Sequence, residues 1–242
     1  MSRKSRRNRP HPERQGPQAD NASEASRRRR SIVIGAVVAV LLAVLVGTLL
    51  FKGDRSQSSP GATITNQDPL ASVHSPMLGD AGAKVHIVEF IDPACETCAQ
   101  FFPLVKQLMA ENPNRIRLSI RHVAFHDGSD YVVKLLEASR KQDRYLPTLE
   151  ALLASQAHWA PHHTVQPDLV LQAIAGVGLN LEQLLVDMNA PEVAQRMEQD
   201  RNDAMALKVT ATPEYFVNGR PLPSFGLQQL QTLVSEALQS AY

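Results

Sequence analysis

Cysteine is almost absent from this chain: its 242 residues hold two, Cys95 and Cys98. That scarcity excludes a closed structural zinc site built on cysteine alone, which needs four ligands where this pair supplies two. A disulfide between them would close too small a loop to constrain the unfolded chain much. The 167 residues from Pro76 to Tyr242 can bury a core without such a staple. Internal repeats are missing as well. Acidic residues are scarce at the start, where residues 1–30 carry three against ten Lys and Arg. The remainder carries fifteen basic and twenty-one acidic residues, so the overall charge of +1 hides a basic arm on an acidic body. A basic arm can bind nucleic acid, but the segment directly behind it gives a nearer explanation.

Charge is missing altogether from Ile32 to Phe51, "IVIGAVVAVLLAVLVGTLLF". As a helix these twenty residues rise about 30 Å, the thickness of a bilayer core. Arg27–Arg30 stand immediately before them. Positive charge stays on the cytoplasmic side, so the N-terminus is expected inside and the longer C-terminal part outside. A cleaved signal peptide would have a shorter apolar core and an A-x-A-like site; "TLLFKGD" stands there instead. "RRRRSIV" resembles a twin-arginine signal faintly, but the segment behind it is too apolar. The expectation is an uncleaved single-pass anchor at residues 31–51 behind a basic tail at 1–30, placing the chain in the cytoplasmic (inner) membrane.

Residues 52–75 are rich in Ser, Gly and polar side chains and read as a flexible linker. "KVHIVEFI" then reads as a buried strand, and Cys95 opens a helix to about Glu111, interrupted by Pro103. "RIRLSIRHVAF" alternates Ile116, Leu118 and Ile120 against Arg117, Ser119 and Arg121, a strand with one face covered. Strand, helix, strand implies a parallel pair. A helical block follows over about residues 128–207, with Asn180 and Pro191 as helix starts. "EYFVNGRPL" reads as a hairpin turning at Asn218–Gly219, and "LQQLQTLVSEALQSA" as a closing amphipathic helix. The order is β-α-β, a helical insert, then β-β-α, an α/β fold.

Three chemistries compete at Cys95 and Cys98: a metal clip, a structural disulfide and a redox pair. His158, His162 and His163 around Trp159 could add metal ligands, though a local histidine cluster on a loop is more often surface decoration. A copper(I) site on the pair itself stays open. The context favours redox chemistry, which needs a thiolate. A cysteine at a helix N-terminus meets unpaired N–H groups and the positive end of the helix dipole, and both lower its pKa. Cys95 is at that position and is expected to be the exposed nucleophile; Cys98, one turn on, resolves the mixed disulfide. Glu89 lies inside the apolar strand, where a carboxylate is costly unless paired or protonated. Raised in pKa, it could take and return the proton of Cys98. The alternative is that its strand position faces solvent.

These residues resemble the thioredoxin superfamily, and within it the membrane-tethered DsbA-like proteins. The resemblance covers about residues 76–242. It rests on Glu89 six residues before Cys95, Pro103 five after Cys98, the lead-in "MLGDAGAKVHIVEF" and the stretch "VTATPEYFVNG". It implies a thioredoxin-like fold, with Pro213 as the family's cis-proline and Thr212 before it, together holding an extended substrate chain beside the cysteines. The 115 residues from Cys98 to Pro213 leave room for the helical insert that DsbA-like proteins carry. Glu96 and Thr97 depart from the Pro-His of DsbA. Glu96 is expected to oppose thiolate formation at Cys95, while Thr97 can donate a hydrogen bond. Thr212 is the residue type of isomerase-like relatives, which carry a separate dimerisation domain; residues 52–75 are too short for one.

The implied function is thiol-disulfide exchange on exported, thiol-containing polypeptides, with the disulfide-forming direction favoured and a monomer expected. No organic cofactor and no metal are implied, since the Cys95–Cys98 disulfide is the redox group. The implied recharging partner is a membrane protein of DsbB or DsbD type. Two rivals remain: a reductase or isomerase fed by a membrane reductant carrier, and a tethered binding or copper-handling module without turnover.

Overall fold

The structure is a computed structural model, and it describes residues 69, 70 and 72–242. The basic tail, the expected anchor at 31–51 and most of the linker lie outside the described residues. Among the described residues, no helix is long and apolar enough to cross a membrane.

The strand order in the sheet is β1-β3-β2-β4-β5, from β1 (Met77–Gly79), β2 (Val85–Ile91), β3 (Ile116–His122), β4 (Glu214–Val217) and β5 (Arg220–Pro221). The parallel pair is β2 and β3, as the βαβ reading requires. Its connection is α1 (Glu96–Glu111), which carries Pro103 inside it. The hairpin β4–β5 turns at Asn218 and Gly219, both with positive φ, the backbone that Asn-Gly suits. β1 is a strand that the sequence pattern does not predict. Three residues are too short to show a period, and β1 exists because it pairs antiparallel with β3, with Ile120 N–H donating to the Pro76 carbonyl at 3.0 Å.

The insert is helical: α2 (Ser129–Ser139), α3 (Tyr145–Ala154), α4 (Gln156–Trp159), α5 (Pro167–Ala173), α6 (Leu181–Asp187) and α7 (Pro191–Ala206), with α8 (Leu227–Ala241) closing the chain. Asn180 caps α6 by accepting from Gln183 N–H, and Pro191 takes the first turn of α7, as helix starts prefer.

Two apolar clusters lie on opposite faces of the sheet. Val85, Ile87 and Ile91 of β2, with Ile116, Leu118 and Ile120 of β3, join α1, most of the insert and α8 in the larger one. Val88 and Phe90 join Val123, Phe216, Ala204 and Val209 in the smaller. The period of two along a strand therefore puts Glu89 on the larger, fully covered face. It is buried completely, so its position does not face solvent.

The second face of β3 is not the open one that its alternation suggests. Arg121 is wholly buried. Its Nε donates to Asp200 Oδ1 at 2.5 Å, its Nη2 to Asp203, and its Nη1 to the Pro69 carbonyl at 2.8 Å. Asp200 also accepts from His122 N–H at 2.8 Å and pairs with His74 at 2.8 Å. A guanidinium can be buried when carboxylates neutralise it and its donors are satisfied. The same bonds fasten Pro69 and His74, the end of the segment read as a linker, onto the domain.

Candidate active site

Cys95 sits where β2 hands over to α1, as the N-cap residue with extended backbone. Its N–H donates to the Asp92 carbonyl at 3.0 Å. The thiol donates to the Thr212 carbonyl at 3.3 Å. The Thr212–Pro213 peptide bond is cis, as the resemblance implies for Pro213. Cys95 is 6% exposed, not the open nucleophile expected, because the Thr212–Pro213 loop folds over it. Cys98 is fully buried one turn along α1, and both cysteines are free thiols.

The two sulfurs have opposite electrostatics. A hydrogen bond from the Cys98 thiol holds Cys95 down to about 5, helped by Thr212 and by the backbone N–H groups of Cys98 and Thr97 and opposed by burial. Burial pushes Cys98 far up, and the neighbouring charges of Cys95 and Glu89 add to that. Thr97 therefore acts through its backbone N–H. Glu96 is exposed in the first turn of α1, and the opposition expected from it does not keep Cys95 from falling well below an ordinary thiol.

Glu89 lies beneath the pair. Burial raises it to about 8, with the Tyr215 hydroxyl pulling the other way. Tyr215 is its antiparallel cross-strand partner on β4, and its hydroxyl donates to Glu89 Oε1 at 3.0 Å. Near neutral pH this carboxyl holds a proton it can give to an emerging Cys98 thiolate and take back.

Sequence reading missed Tyr215, although it stands two residues after Pro213. It also missed Asp92, in "IDPAC". This buried carboxylate accepts from Ala94 N–H at 2.9 Å and, through Oδ2, from Phe125 N–H at 2.7 Å and His126 N–H at 2.9 Å. The His126 ring at 2.8 Å and the Ser129 hydroxyl at 3.1 Å complete the set. Five donors on one side chain fix the bend that presents Cys95. Gln156 Nε2 donates to the Ala94 carbonyl at 2.6 Å, so the insert also holds the loop. Of the histidine cluster, His158 and His162 are exposed, while His163 reaches the Ala94 carbonyl. Among the described residues, no group of three or more His, Cys, Asp or Glu side chains is arranged to hold a metal ion.

A family model described as thioredoxin matches residues 71–236. The chain belongs to the thioredoxin family. A solved thioredoxin-like oxidoreductase from Silicibacter pomeroyi DSS-3 is 31% identical, with a TM-score of 0.63; the match covers 72% of this chain and 99% of that one. The fold, at 18% identity, is also that of α-DsbA1 from Wolbachia pipientis, with a TM-score of 0.62 over 72% of this chain and 98% of that one. Among curated proteins, a Na(+)/H(+) antiporter NhaA of Herminiimonas arsenicoxydans is 27% identical over 214 residues, which are 86% of this chain. The match spans 33% of that antiporter's length, so this chain corresponds to about a third of it. For this member of the thioredoxin family, the match to the Silicibacter oxidoreductase runs through nearly the whole of that protein.

Proposed function

We propose that this chain is a thiol-disulfide oxidoreductase that forms disulfides in exported, thiol-containing polypeptides through Cys95 and Cys98. The observation that carries the reading is the asymmetry of the pair, one sulfur held near 5 at a helix N-terminus and against the Thr212 carbonyl, the other buried and pushed up. In the oxidised pair, a substrate thiolate attacks Cys95 Sγ. The Cys95–Cys98 bond breaks, a Cys95–substrate bond forms, and Cys98 leaves with the electron pair. Glu89 gives its proton to that sulfur. A second substrate thiolate then attacks the substrate sulfur of the mixed disulfide, and Cys95 leaves as a thiolate. A low-pKa leaving group departs faster, so the shift at Cys95 favours release of an oxidised substrate. The substrate loses two electrons and the cysteine pair gains them.

Thr212 and Pro213 present their backbone to the substrate chain, in the manner of strand addition. Substrate entry moves this loop aside and uncovers the Cys95 sulfur for attack. Ile32–Phe51 anchors the protein in the inner membrane, with this domain on the extracytoplasmic side. A membrane oxidant carrier of DsbB type returns the pair to the disulfide.

Equilibration of the full-length chain with glutathione, read by thiol alkylation, tests this reading. A reduction potential near about −120 mV supports the oxidase, and one near about −270 mV makes it a reductase. A Cys95→Ser, Cys98→Ser double variant that keeps full cellular function would instead leave a binding module without turnover.

A further inference from the structure

The sheet face that carries the smaller cluster has a basic cleft at the end of β2 away from the cysteines. β2 starts there at Val85 and runs toward the bend that presents Cys95, so about 20 Å of strand separates the two places. The cleft holds about 370 Å³ and is lined by Lys84, His86 and Arg117, together with Leu70 and the turn Asn218–Gly219.

Strand pairing brings the cations together. His86 and Arg117 are partners across the parallel pair β2–β3. One step earlier, Val85 N–H donates to the Arg115 carbonyl at 3.2 Å. Lys84 Nζ and the Arg115 guanidinium share the Tyr242 ring, at 4.7 Å and 4.4 Å from its centre. Like charges side by side on neighbouring strands repel. Further along the same face of β3, Arg121 is neutralised by Asp200 and Asp203. Among the described residues, no carboxylate pairs with Lys84, Arg115 or Arg117. Lys84 donates instead to the Ala241 carbonyl at 3.0 Å, and Arg117 Nη1 to the Ala81 carbonyl at 3.0 Å. Asp80, the acid closest to Lys84 in sequence, accepts from Gly82 N–H at 2.6 Å. Arg117 Nε is buried with no acceptor among the described residues. The positive field reaches His86, where burial and then the Arg117 charge hold the ring below an ordinary imidazole.

A guanidinium with an unsatisfied donor, set beside an ammonium group, matches an oxyanion. The cleft has room for one, since a Cβ at Gly219 would meet no atom within 4 Å. We propose that this cleft binds a phosphate group, held by Arg117 and Lys84 beside the Asn218–Gly219 turn. Its ionised oxygens accept from both side chains and bring the negative charge that the surrounding side chains lack. Bound there, it leaves the cysteines at the other end of β2 open to substrate. Leu70 belongs to the segment that follows the apolar run Ile32–Phe51, so a lipid headgroup and a phosphate free in solution are both sources of the group.

The basic tail at residues 1–30 also attracts anions, so binding is read at Lys84 itself, which is exposed. The full-length chain in a neutral detergent is treated with acetic anhydride. Acetylation of Lys84 is measured by mass spectrometry against that of Lys106, on α1 across the sheet. Inorganic phosphate at about ten times its half-protecting concentration is expected to slow Lys84 acetylation about tenfold, and acetate at equal ionic strength is expected to leave it unchanged. Arg117→Gln is expected to raise the half-protecting concentration about tenfold, the share of one charge-assisted bond. Gly219→Asp keeps every cation and a left-handed backbone that Asp tolerates; its added charge is expected to abolish protection, and it decides the matter if Arg117→Gln does not fold. The chain in phosphatidylglycerol vesicles without free phosphate separates the sources. Protection there that Gly219→Asp removes assigns a lipid headgroup, and protection by inorganic phosphate alone assigns a soluble one. Equal protection by acetate, protection that survives Gly219→Asp, or no protection in either arm overturns the proposal.

Discussion

Two buried carboxylates on opposite faces of one sheet hold their protons in opposite ways. Glu89 on β2 and Asp200 on α7 are 0% and 3% exposed. Glu89 has one neutral hydroxyl for company, and Oε2 has no hydrogen-bond partner among the described residues. Burial therefore wins, and the group keeps its proton to about 8. For Asp200, burial also pushes upward. The His74 hydrogen bond, the Arg121 charge and the His122 N–H overcome it and hold the group below an ordinary aspartate. The difference is the presence of a permanent cation. A buried carboxylate with a guanidinium beside it is a structural ion; one without it becomes an acid that titrates near neutrality, suited to proton transfer.

Replacing Arg121 breaks the contrast most severely. Arg121→Ala strands Asp200 and Asp203 and should cost about 3–5 kcal/mol of stability, read by denaturant unfolding. The exchange activity of the molecules that remain folded should be little changed. Glu89→Gln reverses that outcome. It should slow the exchange step that protonates Cys98 by about a hundredfold, at the low end for general acid catalysis, while stability at pH 7 rises by on the order of 2 kcal/mol.

The sign of that gain follows from linkage. The unfolded chain releases the Glu89 proton near 4.5 and the folded chain near 8. The stabilising contribution is full below 4.5 and is lost as pH climbs to about 8. Asp200 works the other way, adding stability above the ordinary aspartate range that is lost as pH falls. Thermal melts from pH 3 to 9 should therefore lose their alkaline decline in Glu89→Gln. A decline that persists unchanged would mean that Glu89 is not its source.

Tyr215→Phe sharpens the same comparison by a smaller amount. Removing the hydroxyl takes away the influence that lowers Glu89, so the alkaline decline should move to higher pH, with a stability change of about 1 kcal/mol. The exposed pair Lys106–Glu150 serves as the control. Lys106→Ala should change stability by less than about 1 kcal/mol, because solvent screens it.

How much of this was legible depended on whether a signal was local. The alternation through "VHIVEFI" assigns Glu89 to the same face as Ile87 and Ile91, and the spacing of Cys95, Cys98, Pro103 and Pro213 marks the site. Asn180, Pro191 and Asn218–Gly219 mark element ends by their own backbone chemistry. Arg121 misled, since an alternating arginine reads as solvent-facing until Asp200, seventy-nine residues later, is known to meet it. β1 was illegible because its pairing energy comes from β3 and not from its own three residues. Glu96 misled because its charge turns outward into water, where high dielectric weakens its hold on Cys95.

The sequence by itself determined which groups could do chemistry, since two thiols at a helix start and a carboxyl in an apolar strand are fixed by order along the chain. Only the tertiary structure decided their states. It set the Thr212 carbonyl over Cys95 and Tyr215 against Glu89. The physical reason is that a proton's affinity for a site depends on burial and on charges and dipoles within a few ångströms. In this chain most of those neighbours come from residues far away in sequence.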